Sequence, residues 1–362
     1  MASNKNQHFV PRCHLRPFTL NGENAAINVL NLDRKKLIPN APVKNQCSRD
    51  YFYGQDENLE KAIQIIESKY GQALIDLTKN RFIPTDDIKD VLKIFWLFQH
   101  QRTEAAALRA VELAEATAAA ANIPTGKYTL EIKAAVQIAC KAFLTFMHEI
   151  DDLKFCVIKN KTDFPFVTSD NPAVLTNRWR LEKDRMPGHS FGLGSAGMLA
   201  LLPLTPKLFF LGYDGDVYNI PNERGVATIR SVRDVKALNQ HQFLQCVANV
   251  YLHDASYEKA LIEHFTEVEP IRPKRRHIVN YAQLDSVFDG RERYVLVPPT
   301  ERDPSKESIL HTRIIHPKPG MWPSLIRLRT NGSVYTNGTG AGYVRFVRAQ
   351  TESARPFWKE RP

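Results

Sequence analysis

Four polar side chains interrupt helical stripes that are otherwise apolar. Glu67 lies in Ile63–Glu67–Tyr70–Leu74, Gln99 and Arg102 lie on the stripe Phe95–Phe98–Arg102–Ala106, and Asn239 lies in Val235–Asn239–Gln242–Cys246. A charge or amide set against a core is costly unless it finds a partner. Three helices making the same exception predict one shared polar centre, with a buried Glu67–Arg102 pair as its nucleus. Ser169-Asp170-Asn171-Pro172 is the natural fourth contributor, because proline fixes the chain's exit from a strand that ends in short polar side chains. His8 titrates near neutrality and is the candidate acid or base.

The chemistry these types suggest is metal-assisted phosphodiester cleavage on nucleic acid or nucleotide. Glu67 and Asp170 are the candidate ligands for magnesium or manganese. Arg102 would stabilise developing phosphate charge, His8 would move the proton, and Asn171 would orient the substrate. Gln99, Asn239 and Arg16 are further substrate contacts. Lys274, Arg275 and Arg276, in the run Arg272-Pro273-Lys274-Arg275-Arg276-His277, would hold a phosphate backbone. The competing expectation is a non-catalytic binding or regulatory protein whose polar centre only fixes the packing of helices on a sheet. A third is a small-molecule pocket beneath the loop 188–197.

Two local patterns imitate catalytic motifs. Gly188-His189-Ser190-Phe191-Gly192 fits G-x-S-x-G, but Glu182-Lys183-Asp184-Arg185-Met186-Pro187 before it cannot form the buried strand that a nucleophile elbow needs. Gly192-Leu193-Gly194-Ser195-Ala196-Gly197 fits G-x-G-x-x-G, but precedes a strand instead of opening a helix. Both read as one glycine-rich loop.

The elements that must position these residues follow from periodicity. A hairpin is expected at Ala26–Leu32 and Lys36–Val43, then a helix over Glu57–Lys79. A second, long helix is expected over Asp86–Asn122, a third over Thr129–Asp151 and a last over Thr228–Leu252. Strands are expected at Leu153–Lys159, Phe164–Thr168, Leu199–Pro203 and Lys207–Tyr213. Short β-like runs among many Pro and Gly follow Glu269. The expected fold class is α+β, a helical bundle of three to four long helices packed on a small mixed or antiparallel sheet, with a β-rich C-terminal appendage. The expected division is a core over 1–264 and a basic extension over 265–362.

Composition agrees with a folded chain. Of 362 residues, 43% are hydrophobic and 24% charged, which is ordinary for a globular protein. From Phe265 onward, 17 Lys and Arg face 10 Asp and Glu, so this stretch carries +7 of the total +10. A surplus so placed favours a polyanionic partner, nucleic acid foremost. No apolar run is long enough to span a membrane, and the polar start is not that of a signal peptide. Five scattered cysteines without a C-x-x-C pair argue against a disulfide framework or zinc site and predict a reducing, cytoplasmic setting.

Several of these segments, taken in order, also carry a family resemblance. They are Asn6-Gln7-His8-Phe9-Val10-Pro11-Arg12, Tyr51-Phe52-Tyr53 before Ile66-Glu67, Gln99-His100-Gln101-Arg102-Thr103, Ser169-Asp170-Asn171-Pro172 and Pro203-Leu204-Thr205-Pro206. Over about residues 4–255 the chain resembles the bacterial family of domain of unknown function 4238. The resemblance implies a bacterial or phage-borne cytoplasmic protein and brings no activity. It marks the same positions as the burial argument: His8, Glu67, Arg102, Asp170 and Asn171.

Overall fold

Strands Leu199–Thr205 and Leu208–Tyr213 contain hardly a polar residue, and every position in them is buried. Alternate side chains of a strand point to opposite faces, so such a run requires cover on both sides. The computed structural model, which describes residues 5–79, 82–124, 126, 129–183, 190–288, 290–351 and 356–362, provides that cover. Ala200, Leu202, Leu204, Leu208 and Phe210 enter one core, while Leu199, Leu201, Phe209 and Leu211 enter a second. Burying one such Leu or Phe is worth about 1.5–3 kcal/mol, which rules out a sheet covered on one face only.

The first core is closed by helices α1 (Glu57–Thr78) and α2 (Asp86–Arg102), through Tyr70, Leu74, Phe95 and Trp96. Asp56 and Thr85 cap their N-termini by accepting backbone amides. Helices α3 (Glu104–Ala120) and α4 (Ile132–Ala142) follow. The second core is closed by α5 (Val232–Gln245) and α6 (Glu258–Val268), through Val235, Phe243, Leu261 and Phe265. Trp322, Ile326 and Val334 from the C-terminal part of the chain pack into this second core.

The central sheet runs in the order Val226–Ile229, Lys154–Asn160, Leu208–Tyr213, Leu199–Thr205, Val174–Thr176, with its first pair parallel and the rest antiparallel. A four-stranded antiparallel sheet runs Lys36–Pro42, Ala26–Asn31, Asn249–Leu252, Thr168–Ser169. Near the C-terminus, His277–Phe288 pairs with both Arg291–Leu296 and Ser308–Ile314, and this sheet packs against α3.

The class is α+β, but the architecture is not a bundle of three to four long helices on one small sheet. The described residues form six sheets, and three of the four expected helices are broken or shorter. The expected helix Asp86–Asn122 breaks at Thr103, whose backbone is extended (φ −75°, ψ 161°) and whose hydroxyl caps α3 through the Ala106 amide. Apolar periodicity continues through this break, so periodicity could not show it. The expected helix Thr228–Leu252 contracts to α5 and ends in strand Asn249–Leu252. The third helix gives way after Ala142 to 3₁₀ turns. Helix α6 and the twelve-residue strand His277–Phe288 were not expected. Of the paired strand predictions, Leu153–Lys159 is met by Lys154–Asn160, but 164–167 is not strand, and only Thr168 joins one, Thr168–Ser169, in the other sheet.

Candidate functional site

The predicted polar residues gather into two centres that meet at the α2–α3 break. In the first, Arg102 is wholly buried and its Nη1 donates to Glu67 Oε1 at 2.8 Å. Its Nε donates to Gln99 Oε1 at 2.9 Å, and Gln99 Nε2 donates to the Phe9 carbonyl at 2.8 Å. The guanidinium lies 4.6 Å from the centre of the Phe98 ring and 5.9 Å from that of Tyr53. Burial works against its charge, but Tyr53 and Glu67 outweigh it and hold Arg102 above the ordinary guanidinium value. Arg102 Nη2 has no partner among the described residues.

Glu67 opens onto a cavity of about 390 Å³ that is also lined by Gln7, His8, Arg12, Cys13 and Glu60. His8 reaches it from strand Asn6–His8, which pairs with Ser48–Asp50. Burial, then the positive charge of Arg12, lowers the His8 pKa against the opposing carbonyls of Val43 and Lys44. The imidazole is therefore neutral at pH 7, and its Nε2 lacks a partner among the described residues. Gln7 braces this wall, donating to Glu60 Oε1 at 2.6 Å and to the Gly54 carbonyl at 2.9 Å while accepting the Tyr53 amide at 2.6 Å.

The second centre is a set of closed hydrogen bonds. Asp170 Oδ1 accepts the Val247 amide at 2.7 Å, and its Oδ2 accepts those of Ala248 at 2.9 Å and Asn249 at 2.8 Å. Burial pushes this carboxyl up to about 6, with the three amides pulling it down. Asn171 accepts from Thr103 Oγ1 at 2.8 Å and donates to the Gln245 carbonyl at 2.9 Å. Ser169 Oγ donates to Gln242 Oε1 at 2.7 Å, and Gln242 donates to the Pro172 carbonyl at 3.0 Å. Asn239 accepts the Val167 amide at 3.1 Å and donates to the Pro165 carbonyl at 2.9 Å. Segment 165–172 thus finds many of its backbone partners in side chains of α5, which explains amides on an otherwise apolar stripe.

A shared cation between Glu67 and Asp170 does not fit this arrangement. A hard divalent ion takes six or so oxygen ligands, whereas both Asp170 oxygens face N–H donors and Asp170 does not line the Glu67 cavity. Among the described residues, no group of three or more His, Cys, Asp or Glu is arranged to hold a metal.

The other predicted contacts lie outside both centres. Arg16 donates to the Gly22 carbonyl at 3.1 Å within its own turn. Lys274 and Arg275 are exposed, but Arg276 turns inward to Gln245 Oε1 at 3.1 Å and the Leu244 carbonyl at 2.8 Å. Arg272 donates to the carbonyls of Cys246, at 2.7 Å, and Val247. Half of the basic run thereby neutralises the C-terminal end of α5. Gly188 and His189 lie outside the described residues, whereas Ser190 Oγ accepts the Ile314 amide at 2.7 Å. Gly197 has φ +75°, and a Cβ there would sit 2.7 Å from Asn177 Oδ1, so its glycine serves close packing.

Sequence reasoning passed over His14 and Thr103. His14 is buried and joins Tyr70 Oη to Thr168 Oγ1, both at 2.8 Å, and burial takes its pKa down to about 3. Thr103 joins the two centres, being next to Arg102 in the chain and bonded to Asn171. Its place three residues before the Ala106 amide, ahead of an alanine-rich run, was the available signal.

A family model described as a protein of unknown function, DUF4238, matches residues 6–256. The chain belongs to the DUF4238 family. The match covers both polar centres and stops short of strand His277–Phe288. Neither the curated proteins nor the solved structures compared with the chain gave a match. No described helix is long and apolar enough to cross a membrane.

Proposed function

We propose that this DUF4238 protein is a binding protein, which takes a small polar ligand in the His8–Glu67 cavity and uses the Asp170 centre as architecture. The observation that carries the reading is the engagement of both Asp170 oxygens by three backbone amides, which turns that carboxylate toward the chain instead of toward a substrate or cation. The His8–Glu67 cavity is different. Arg102 fixes Glu67 through Oε1, His8 is neutral with an unpaired Nε2, and Glu60 and Gln7 add further polar groups. Among the described residues, Arg102 behind Glu67 and Arg12 at the rim balance the two carboxylates, whose free oxygens favour a small ligand with amine or hydroxyl donors over a nucleic acid.

The competing reading, metal-assisted cleavage of phosphodiesters, needs Asp170 and Glu67 to act on one phosphate. One experiment separates the two. Full-length protein is incubated with magnesium or manganese and DNA, RNA or nucleotides, and is titrated calorimetrically with spermidine as a cationic probe and ATP as an anionic one. Intact nucleic acid, together with a spermidine signal that Glu67→Gln weakens at least tenfold, is the expected result. Cleavage that Asp170→Asn abolishes at unchanged melting temperature, or ATP binding that depends on Glu67, would overturn the proposal.

A further inference from the structure

A second cavity, of about 250 Å³, lies where the α2–α3 break faces strands His277–Phe288 and Ser308–Ile314. Its walls divide by chemistry. Val174, Leu175, Leu193 and Ile314 form an apolar side, with the Phe191 ring stacked on the His316 imidazole at 3.5 Å and 13°. His100, Gln101, Arg109 and Arg276 form the polar side.

The charges here do not balance. Arg109 and Arg276 both line the cavity, and the carboxylate beside them is Glu112. Glu112 Oε1 already accepts the amides of Arg276, at 2.7 Å, and His277, at 2.8 Å. Burial, then repulsion from Arg276, takes Arg109 down to about 10. Burial likewise holds His316 down to about 3 and His100 to about 4, so both are neutral at pH 7 and neither adds nor cancels charge. On the far side of Arg109 the adjoining cleft adds Arg272 and Lys274 against Glu269. Arg276 commits two of its five N–H groups to Gln245 and Leu244, whereas the Arg109 guanidinium, among the described residues, makes one hydrogen bond, of 3.4 Å, to the His100 carbonyl. Among the described residues, two half-buried guanidiniums facing this half-apolar cavity share a single, already engaged carboxylate, and so are short of one negative charge.

We propose that this cavity is a binding site for a small organic anion with a flat apolar body, its carboxylate or phosphate head set against Arg109 and Arg276 and its body against the Leu175–Phe191 side. A planar fork of donors suits either head group. The volume is below the roughly 300–1,000 Å³ of drug-sized sites, which favours a single-ring acid over a nucleotide. The site is separate from the His8–Glu67 cavity, and Arg276, His277 and His316 beyond the family match complete it.

The test is calorimetric titration of the full-length protein with benzoate and phenyl phosphate at constant ionic strength, with benzyl alcohol as the neutral control. Binding of at least one anion without benzyl alcohol binding is expected, and the stronger anion identifies the head group. Arg109→Gln should weaken that anion at least tenfold. The proposal is overturned if neither anion binds, if benzyl alcohol binds as well as they do, or if folded Arg109→Gln binds the anion unchanged. Should Arg109→Gln fail to fold, the comparison of anion with alcohol on the unaltered protein still decides the matter.

Discussion

Replacing Asp170 by asparagine tests whether this carboxylate is architecture. Three backbone amides from 247–249 converge on its two oxygens in a buried setting, and they hold the start of strand Asn249–Leu252 against Thr168–Ser169. An asparagine keeps one oxygen and turns an NH2 group toward donors, so at least one amide is stranded. A buried donor left unmatched costs about 1–3 kcal/mol. The retained bonds also lose their ionic assistance, which roughly halves their strength. Together these give a loss of about 2–5 kcal/mol. At roughly 2 °C per kcal/mol for a chain of this size, the melting temperature should fall by roughly 4–10 °C. The assay is calorimetric or circular-dichroism melting at pH 7, where Asp170, with a carboxyl at about 6, is mostly ionised. A shift smaller than about 2 °C would refute the reasoning, since it would mean that the three amides find water or other partners at no cost.

Other perturbations probe the same arrangement. Burial holds His14, His241 and His316 near 3 and His100 and His264 near 4, so the folded chain keeps all five neutral while the unfolded chain protonates them below about 6.5. Their contribution is present above about 6.5 and is lost as pH falls, by up to about 1.4 kcal/mol per pH unit for each group. Asp170 and Asp214 act in the opposite sense, since burial raises both; for Asp170 the gain is full below about 4 and is lost as pH rises through about 6. Two such groups cannot offset five, so melting temperature should drop steeply from pH 6.5 to 5; a flat or rising profile would contradict the burial of these rings. Thr103→Ala removes both the α3 cap and the Asn171 bond and should cost about 1–3 kcal/mol, clearly more than Thr85→Ala at the exposed α2 cap; equal losses in urea titration would deny Thr103 its linking role. Burial pushes Cys13 and Cys156 up to about 12, Cys140 to about 11, and Cys47 and Cys246 well above the usual thiol value. Native protein at pH 8 should therefore react with iodoacetamide far more slowly than denatured protein with its five thiols, and rapid labelling of any one would expose an error in its packing.

The polar centre was legible because local periodicity shows which residue type belongs at a position. Glu67, Gln99, Arg102 and Asn239 stood out as wrong for their stripes, and the structure buries or half-buries each with a polar partner. Their division into two centres was not legible. Asp170 finds its amides 77 to 79 residues further on, and Asn171 meets a threonine 68 residues earlier. Such pairings depend on sheet order, and no spacing rule encodes it.

What the sequence by itself determined about this protein was its class and its anomalies: α+β, two apolar strands in tandem, polar groups within apolar helices, and a basic C-terminal stretch. Those follow from side-chain chemistry at short range, where periods of two and 3.6 residues have direct meaning. Only the tertiary structure decided that Thr103 breaks a helix, that Asp170 accepts three backbone amides, and that Arg272 and Arg276 cap α5. In each case a long-range partner supplies hydrogen bonds that the local chain could not. That is why the residue types that suggested cleavage of a phosphate could not be assigned their partners from spacing alone.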